Sequence, residues 1–434
     1  MNCNAPYATR SKKRNAVANP YATRSKKRDA VANPYMTRFQ KRKAAANPLP
    51  RVETTLLDLP YHIITDILVR LPAECVFRCQ LASKFLEILV RTPFFIRTHL
   101  ARPTTPIIAL QSFTQSSERD MKFYFTDEQA KKVEEANLKL DLHYMQKDDP
   151  VMLYNSYDGF FLLKNSKNYG SRSIFIIWNP ITEEQATVTT EGYYFHVCGF
   201  YFNPHNKEYE VILHHWVYRD GNSGRYAFDI LSVGSKSRRN IGKFPYVPKS
   251  ESPPTIINGT LYWIVGNIVE EINCSNSIMA FEIRTKKFCT MPHGGAFCDY
   301  PCLHPYKMHL IEMEGKLGLC VVSSSDPNKL VLWVLNRETN SWAKTHTVTL
   351  AKCSTPKYLS YWPNTSEVEV LLKKDGKLLI RHNHRVLLWD LDSNTGKIVK
   401  KRGFEDDNFR PVVHTQSLVS LDTDKLIQLD SSRG

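Results

Sequence analysis

IIWNPITEEQATV, residues 176–188, is an apolar run, a polar turn and a second run rich in β-branched residues, the pattern of a strand that folds back on itself. The same figure recurs as FYFTDEQ from Phe123, DILSVGSKSRRNI from Asp229, AFEIRTKKF from Ala280, VLNRETNSW from Val334 and LWDLDSNTGKIV from Leu388. With Thr126, Thr182, Ser235, Thr285, Thr339 and Thr395 as markers, the intervals are 56, 53, 50, 54 and 56 residues. A strand-rich unit repeating every ~50 residues is the signature of propeller blades, four-stranded sheets that bury their faces only against one another. Six markers predict six blades. Asp158-Gly159, Asn258-Gly259 and Asp375-Gly376 each precede an apolar strand, and Gly315 stands in a similar place, which is the turn chemistry of tight hairpins. One stretch departs from the pattern: DEQAKKVEEANLKL, from Asp127, is rich in helix formers and reads as a loop or a single helix on the first blade. A pair of β-sandwich domains is the alternative architecture.

Upstream of the repeats the texture is helical. In LLDLPYHIITDILVRLPAECVFRCQLASKFLEILVRTPFFIRTHL, residues 56–100, Asp58 is a candidate N-cap and Pro60 falls in the first turn, where its missing N–H is harmless. Ile63, Ile64, Ile67, Leu68 and Leu71 recur at the spacing of a broad apolar stripe, with Tyr61, His62, Thr65, Asp66 and Arg70 mostly off it. Pro72 stops this helix; a second runs from Ala73 to Leu81 and a third from Ser83 to before Pro93, the latter offering Phe85, Leu86, Leu89 and Val90. A unit of roughly forty residues has little surface behind which to hide so many apolar groups, so the surplus reads as an interface. The expected chain is mostly β with a small N-terminal all-α module: a basic tail over residues 1–52, a three-helix unit over 53–100 and a six-bladed propeller over 101–434.

The 434 residues carry a formal net charge of +15 with 42% hydrophobic residues, enough for a sizeable core. The charge is unevenly placed: residues 1–48 hold +11 and the remainder only +4. The tail repeats every fourteen residues, from Ala5, Asn19 and Asn33, with Pro breakers and almost no large aliphatic side chain to offset the entropy of ordering it, so it is expected to be disordered. Its clusters around Lys12, Lys13 and Arg14, around Lys26, Lys27 and Arg28, and around Lys41, Arg42 and Lys43 are nuclear-import candidates; weak phosphate binding, an organelle transit peptide and a solvated tail are the other readings. Ten scattered cysteines and a start without an apolar signal core point to reduced thiols inside the cell, in nucleus or cytoplasm. No run approaches the length of a membrane span, and no membrane partner is expected.

Chemistry is sparse. Cys298, Cys302, His304 and His309 are crowded, but their spacing is irregular for zinc; His382 and His384, or His214 and His215, lack a third ligand, so neither metal nor cofactor is expected. There is no Gly-x-Ser-x-Gly elbow, phosphate-cradling loop or His-Glu-x-x-His helix. Glu270-Glu271 and Asp406-Asp407 would point to opposite faces of a strand. Tyr169, Tyr193, Tyr194, Trp216, Tyr218 and Tyr300 lie in or near loop-like stretches and are candidate anchors, with core packing the plainer fate.

Residues 56–100 also resemble the F-box: LPYHIITDILVRLP from Leu59, VFRC from Val76, Ser83-Lys84 and PFFIRTHL from Pro93 stand in its order, with Phe85 where a tryptophan usually follows the Ser-Lys pair. The following region resembles the F-box-associated domain of a large plant family through YDGFFLL, WNPITEE, VCGFYFNPHNKEYEVI, NGTLYWIV, AFEIRTKKF, EGKLGLCVV and VLWVLNRETNSWAK in sequence order. The resemblance implies a non-catalytic substrate-recognition subunit of a Skp–cullin–F-box ubiquitin ligase that bridges an Skp-family adaptor, and through it a cullin, to a target protein. It implies adaptor contacts by Leu59, Pro60, Ile63, Ile64, Ile67, Leu68, Leu71, Pro72, Val76 and Cys79, while Phe85, Leu89, Phe94 and Phe95 would brace the propeller. A nuclear nucleic-acid-associated protein using the tail and a propeller hydrolase are the alternatives; the near-neutral remainder disfavours nucleic acid.

Overall fold

The computed structural model describes residues 55–102, 107–112, 120–126, 133–139, 151–165, 173–190, 195–217, 225–249, 252–266, 274–293, 308–323, 326, 328–350, 368–382, 385–399, 409–421 and 426–429. The chain divides into two units, Met1–Leu59 and Pro60–Gly434. In the first, Leu56–Asp58 form a 3-10 turn in which the Thr55 backbone and hydroxyl both donate to the Asp58 carboxylate.

The second unit begins with four helices: α1 (Tyr61–Val69), α2 (Ala73–Cys79), α3 (Lys84–Val90) and α4 (Pro93–Leu100). Three were expected. Pro93 ends nothing by itself; with Thr92 Oγ1 accepting from the Phe95 N–H, it starts a further helix at its first position. Pro60 and Pro72 are likewise the residues just before α1 and α2, so Asp58 is not the N-cap of α1, and α2 stops at Cys79 rather than Leu81. Ser83 caps α3 by accepting from the Leu86 N–H. At the far end of α1, the carbonyl of Leu71 accepts from Arg102 and meets Nε2 of His99, and that of Val69 accepts from Arg102. These bonds tie α4 to α1 through carbonyls that a helix end leaves open.

The strands follow as six sheets. Blade one holds β1 (Ile107–Ser112), β2 (Asp120–Thr126) and β3 (Val133–Lys139); blade two β4 (Val151–Tyr157), β5 (Phe160–Asn165), β6 (Ser173–Trp178) and β7 (Gln185–Thr190). Blade three is β8 (His196–Asn203), β9 (Glu208–Val217), β10 (Arg225–Ser232) and β11 (Ser237–Phe244); blade four β12 (Thr255–Ile257), β13 (Thr260–Ile264), β14 (Ile278–Glu282) and β15 (Lys287–Met291). Blade five is β16 (Met308–Met313), β17 (Lys316–Val322), β18 (Lys329–Asn336) and β19 (Ser341–Thr349); blade six β20 (Val368–Lys374), β21 (Lys377–His382), β22 (Arg385–Asp390) and β23 (Thr395–Ile398). The ring closes when β24 (Phe409–His414) pairs antiparallel with β1 as the missing strand of blade one, and β25 (Leu426–Leu429) then adds in parallel to the edge of β7.

The six-blade expectation holds, and the turns explain why it was readable. Asp158-Gly159, Asn258-Gly259, Glu314-Gly315 and Asp375-Gly376 all take positive φ at both positions, the two-residue turn that matches strand twist. Glu183, Lys236, Lys286, Asn340 and Asn394 take positive φ in the third-to-fourth turns, where the sequence markers cluster. The helix-rich stretch is a correction: Val133–Lys139 is a strand, paired with β2 from Val133↔Thr126 to Lys139↔Asp120, so a ready-made partner overrides helix propensity. Among the described residues, six apolar clusters each lie astride two adjacent blades. Among the described residues the cluster at the seam of blades six and one is the smallest of these, its buried members being Ile108, Leu110, Leu379 and Val386.

Candidate functional site

An amphipathic helix buries one stripe, and on α1 that stripe is narrower than the sequence suggests. Ile64 and Leu68 are sealed inside with Val76 of α2, whereas Ile63 and Ile67, four residues apart, stay 39% and 37% exposed. Pro60 and Pro72 are exposed, Leu71 and Cys79 half-buried, and Leu59, in the first unit, half-buried. Tyr61 of α1 stands edge-on to Phe85 of α3 with ring centroids 6.3 Å apart, and Phe85 and Ile88 continue outward from α3, Ile88 being 60% exposed. Leu81 and Phe94 are exposed too. The adjacent helices α1 and α3 thus present Tyr61, Ile63, Ile67, Phe85 and Ile88 as large apolar groups facing solvent. In the sequence Tyr61 falls off the apolar stripe and Ile88 is not singled out, since neither lies on the stripe that the periodicity selects. Phe85 and Phe94 were expected to brace the propeller; both face solvent, and the bracing falls to Ile96 and Leu100 of α4, which pack on the cluster between blades two and three. Leu89 and Phe95 are buried.

That cluster is also where the chain's C-terminal part crosses. After β24, Val419 and Leu421 enter it, the Asn179 side chain donates to the carbonyls of Ser417 and Val419, and the Glu184 carboxylate accepts from Ser420 and the Leu421 N–H. Ser417 donates to the Asp158 carbonyl, and a Cβ at Gly159 would run into Ser417, so glycine is required there by contact as well as by its positive φ.

The F-box associated beta propeller domain family matches residues 110–425 of the chain. The chain belongs to this family. Among its relatives, the putative F-box protein At1g30920 of Arabidopsis thaliana is 26% identical over 372 residues, covering 80% of this chain and 87% of the relative. The F-box protein At3g07870 of the same plant is 24% identical over 405 residues, covering 85% and 93%. Among solved structures, a putative 6-phosphogluconolactonase from Bacteroides fragilis aligns over 73% of this chain and 98% of its own at 9% identity and a TM-score of 0.38, a likeness that carries no argument.

Within this F-box associated propeller, the buried charges serve the blade seams. The Glu210 carboxylate, sealed from solvent, accepts from Tyr201, Asn203, Asn206 and Lys286, the last crossing from blade four. Burial would raise its pKa, but these hydrogen bonds, Lys286 first, hold it below the ordinary glutamate value. His414 is buried beside Ser156, and desolvation lowers its pKa to about 3. Cys298, Cys302, His304, His384, Glu270, Glu271, Asp406, Asp407 and the tyrosines 169, 193, 194, 218 and 300 lie outside the described residues, as do Lys12, Lys13, Arg14, Lys26, Lys27, Arg28, Lys41, Arg42 and Lys43. His309 sits in β16 opposite Cys320, and no group of three metal-ligating side chains occurs among the described residues. Nor is any helix among them long and apolar enough to cross a membrane.

Proposed function

We propose that this chain is the substrate-recognition subunit of a Skp–cullin–F-box ubiquitin ligase, without chemistry of its own. The observation that carries the reading is the solvent-facing apolar set Tyr61, Ile63, Ile67, Phe85 and Ile88, on a helical module fused to an F-box associated propeller. An Skp-family adaptor covers that set; at ~25 cal/mol per Å², burying a few such side chains contributes several kcal/mol. Ile64, Leu68 and Val76 act from inside, by holding the helices that present it. The adaptor links the module to a cullin, the propeller holds a target, and ubiquitination is promoted by raising the target's local concentration at the ligase.

The basic clusters of residues 10–14, 24–28 and 41–43 act in nuclear import, a reading supported by their sequence alone. One pull-down of the full chain from plant cells tests the assignment. Recovery of an Skp-type adaptor with a cullin is expected; retention on DNA that disappears with residues 1–48, and no adaptor, would instead favour a nucleic-acid-associated protein.

A further inference from the structure

Each blade is an antiparallel meander, so its first-to-second and third-to-fourth turns share one face of the ring. The helical module stands on that side: Ile96 and Leu100 of α4 pack on the cluster that holds Phe202, near the end of β8, and Val233, just past β10. Beside that footing three turns meet, β8–β9 and β10–β11 of blade three and β14–β15 of blade four. The buried Glu210 draws them together, its carboxylate accepting from Asn203 and Asn206 at the first turn, from Arg239 of β11 at 3.3 Å and from Lys286 at the third. Glu208 accepts from Ser235 of the second turn at 3.1 Å, and Glu282 accepts from Thr285 at 2.7 Å and Arg284 at 3.5 Å.

What these turns show to solvent is basic. Lys207, Lys236, Arg239, Arg284 and Lys287 are exposed and Lys286 is half-buried, whereas Glu208 and Glu282 are half-buried and Glu210 is sealed. Six cations thus surround three carboxylates, a surplus of three in a region, residues 49–434, whose whole net charge is +4. Arg239 and Lys286 both serve Glu210, and Lys207 and Lys287 stand in no ion pair among the described residues. The backbone does not ask for lysine here. Lys207, Lys236 and Lys286 take φ of 60°, 54° and 58°, a region that asparagine and aspartate enter more readily, and the other non-glycine residues that take it among those described are asparagine, aspartate or glutamate.

A surplus of positive charge beside a docking module favours an acidic partner and steers its approach. Two features select a polypeptide over a nucleic acid. The exposed cations are interleaved with Glu208 and Glu282, which a duplex charged at every ~1.7 Å of its axis would meet, whereas side-chain carboxylates are spaced and rotate clear of them. The patch also adjoins the footing of α4, so a protein seated on the module is brought to its edge.

We propose that the turns gathered on Glu210 receive an acidic segment of the adaptor that docks on the helical module. The inference rests on the substrate-receptor reading. Its test mixes the purified full chain with an Skp-family adaptor and follows association by biolayer interferometry at low and high salt. Lys207→Glu with Lys287→Gln is compared with Lys207→Arg with Lys287→Arg, the basic tail being intact in every chain. The first pair slows association about fivefold to tenfold at about 50 mM salt and less than about twofold at about 400 mM, where screening removes the steering; the arginine pair keeps the wild-type rate. A zero-length carbodiimide cross-link joins Lys207 or Lys287 of the wild type to a carboxylate of the adaptor. No slowing, or equal slowing with arginine, overturns the patch, and slowing without a cross-link overturns the contact. Retention on duplex DNA that falls with the first pair would put a nucleic acid there instead of an acidic polypeptide. If the wild type forms no complex with the adaptor, the receptor reading itself has failed, and the inference with it. Both lysines are exposed, and glutamate suits the backbone at Lys207, since Glu183 and Glu314 take φ of 59° and 54°.

Discussion

Asp158→Asn separates a charge from a shape. Asp158 opens the β4–β5 turn at φ 50°, its carboxylate accepts from the Tyr209 hydroxyl at 3.1 Å, and burial pushes its pKa up from 3.8 to about 6. Asparagine tolerates the left-handed backbone and keeps an acceptor for Tyr209. A carboxylate whose folded pKa exceeds its unfolded one stabilises the fold only as the neutral acid. Its contribution is complete below 3.8, declines as pH rises to about 6, and the cost is constant above that. The gap of about 2 units corresponds to about 3 kcal/mol at ~1.4 kcal/mol per unit. The residue is half-buried, so water screens part of this, and removing the charge at pH 7.5 gains about 1.5–3 kcal/mol. For a unit this large that raises Tm by about 2–4 °C. Thermal unfolding followed by circular dichroism at pH 7.5 and pH 4 checks it: the gain belongs to pH 7.5 and nearly vanishes at pH 4. An equal gain at both values, or a loss at pH 7.5, would refute the argument.

Lys286→Met leaves the sealed Glu210 carboxylate between blades three and four with the half-exposed Arg239 as its cation partner among the described residues, and destabilises the chain by about 1–3 kcal/mol in urea at pH 7. The stabilisation Glu210 supplies is complete above its unfolded value of 4.5 and lost as pH falls through its depressed folded value, so the penalty of the substitution shrinks in acid. Hydrogen exchange opens first at the seam of blades six and one, in β1 and β21, because its apolar cluster is the smallest among the described residues; slower exchange there than in β9 and β13 contradicts the ranking. Phe85→Trp enlarges an exposed ring beside Tyr61 and tightens adaptor binding by roughly two- to fivefold with Tm unchanged, read by calorimetric titration.

The six blades were legible because the third-to-fourth turns carry a local signal, a polar residue beside one in the left-handed region, that repeats with the blade. What depends on distant partners was not. Val133–Lys139 has the composition of a helix and becomes a strand only because β2 lies open beside it. Pro93 was read as a stop, since a proline's effect on the preceding helix is visible in sequence and its role in beginning the next depends on Thr92 as a cap. The helical stripe was found, but its division into a buried edge at Ile64 and Leu68 and an exposed edge at Ile63 and Ile67 depends on where α3 and α4 pack. Phe85, which departs from the usual tryptophan, therefore bears on the exposed face rather than on the bracing. Trp216 stood out in sequence, but its edge-on partner Tyr226 did not, because strand register, which sets the two opposite one another, has no local signature. The segment from Thr415 to Leu421, which closes over blade two, carries no motif at all.

The most direct measurement is light scattering coupled to size exclusion on the purified chain mixed with an Skp-family adaptor, run beside Ile67→Asp. The account predicts a one-to-one complex with the wild type and none with Ile67→Asp, whose propeller melts at the wild-type temperature, since Ile67 is exposed on α1. A wild-type chain that forms no complex, or an Ile67→Asp chain that forms one equally well, would contradict it.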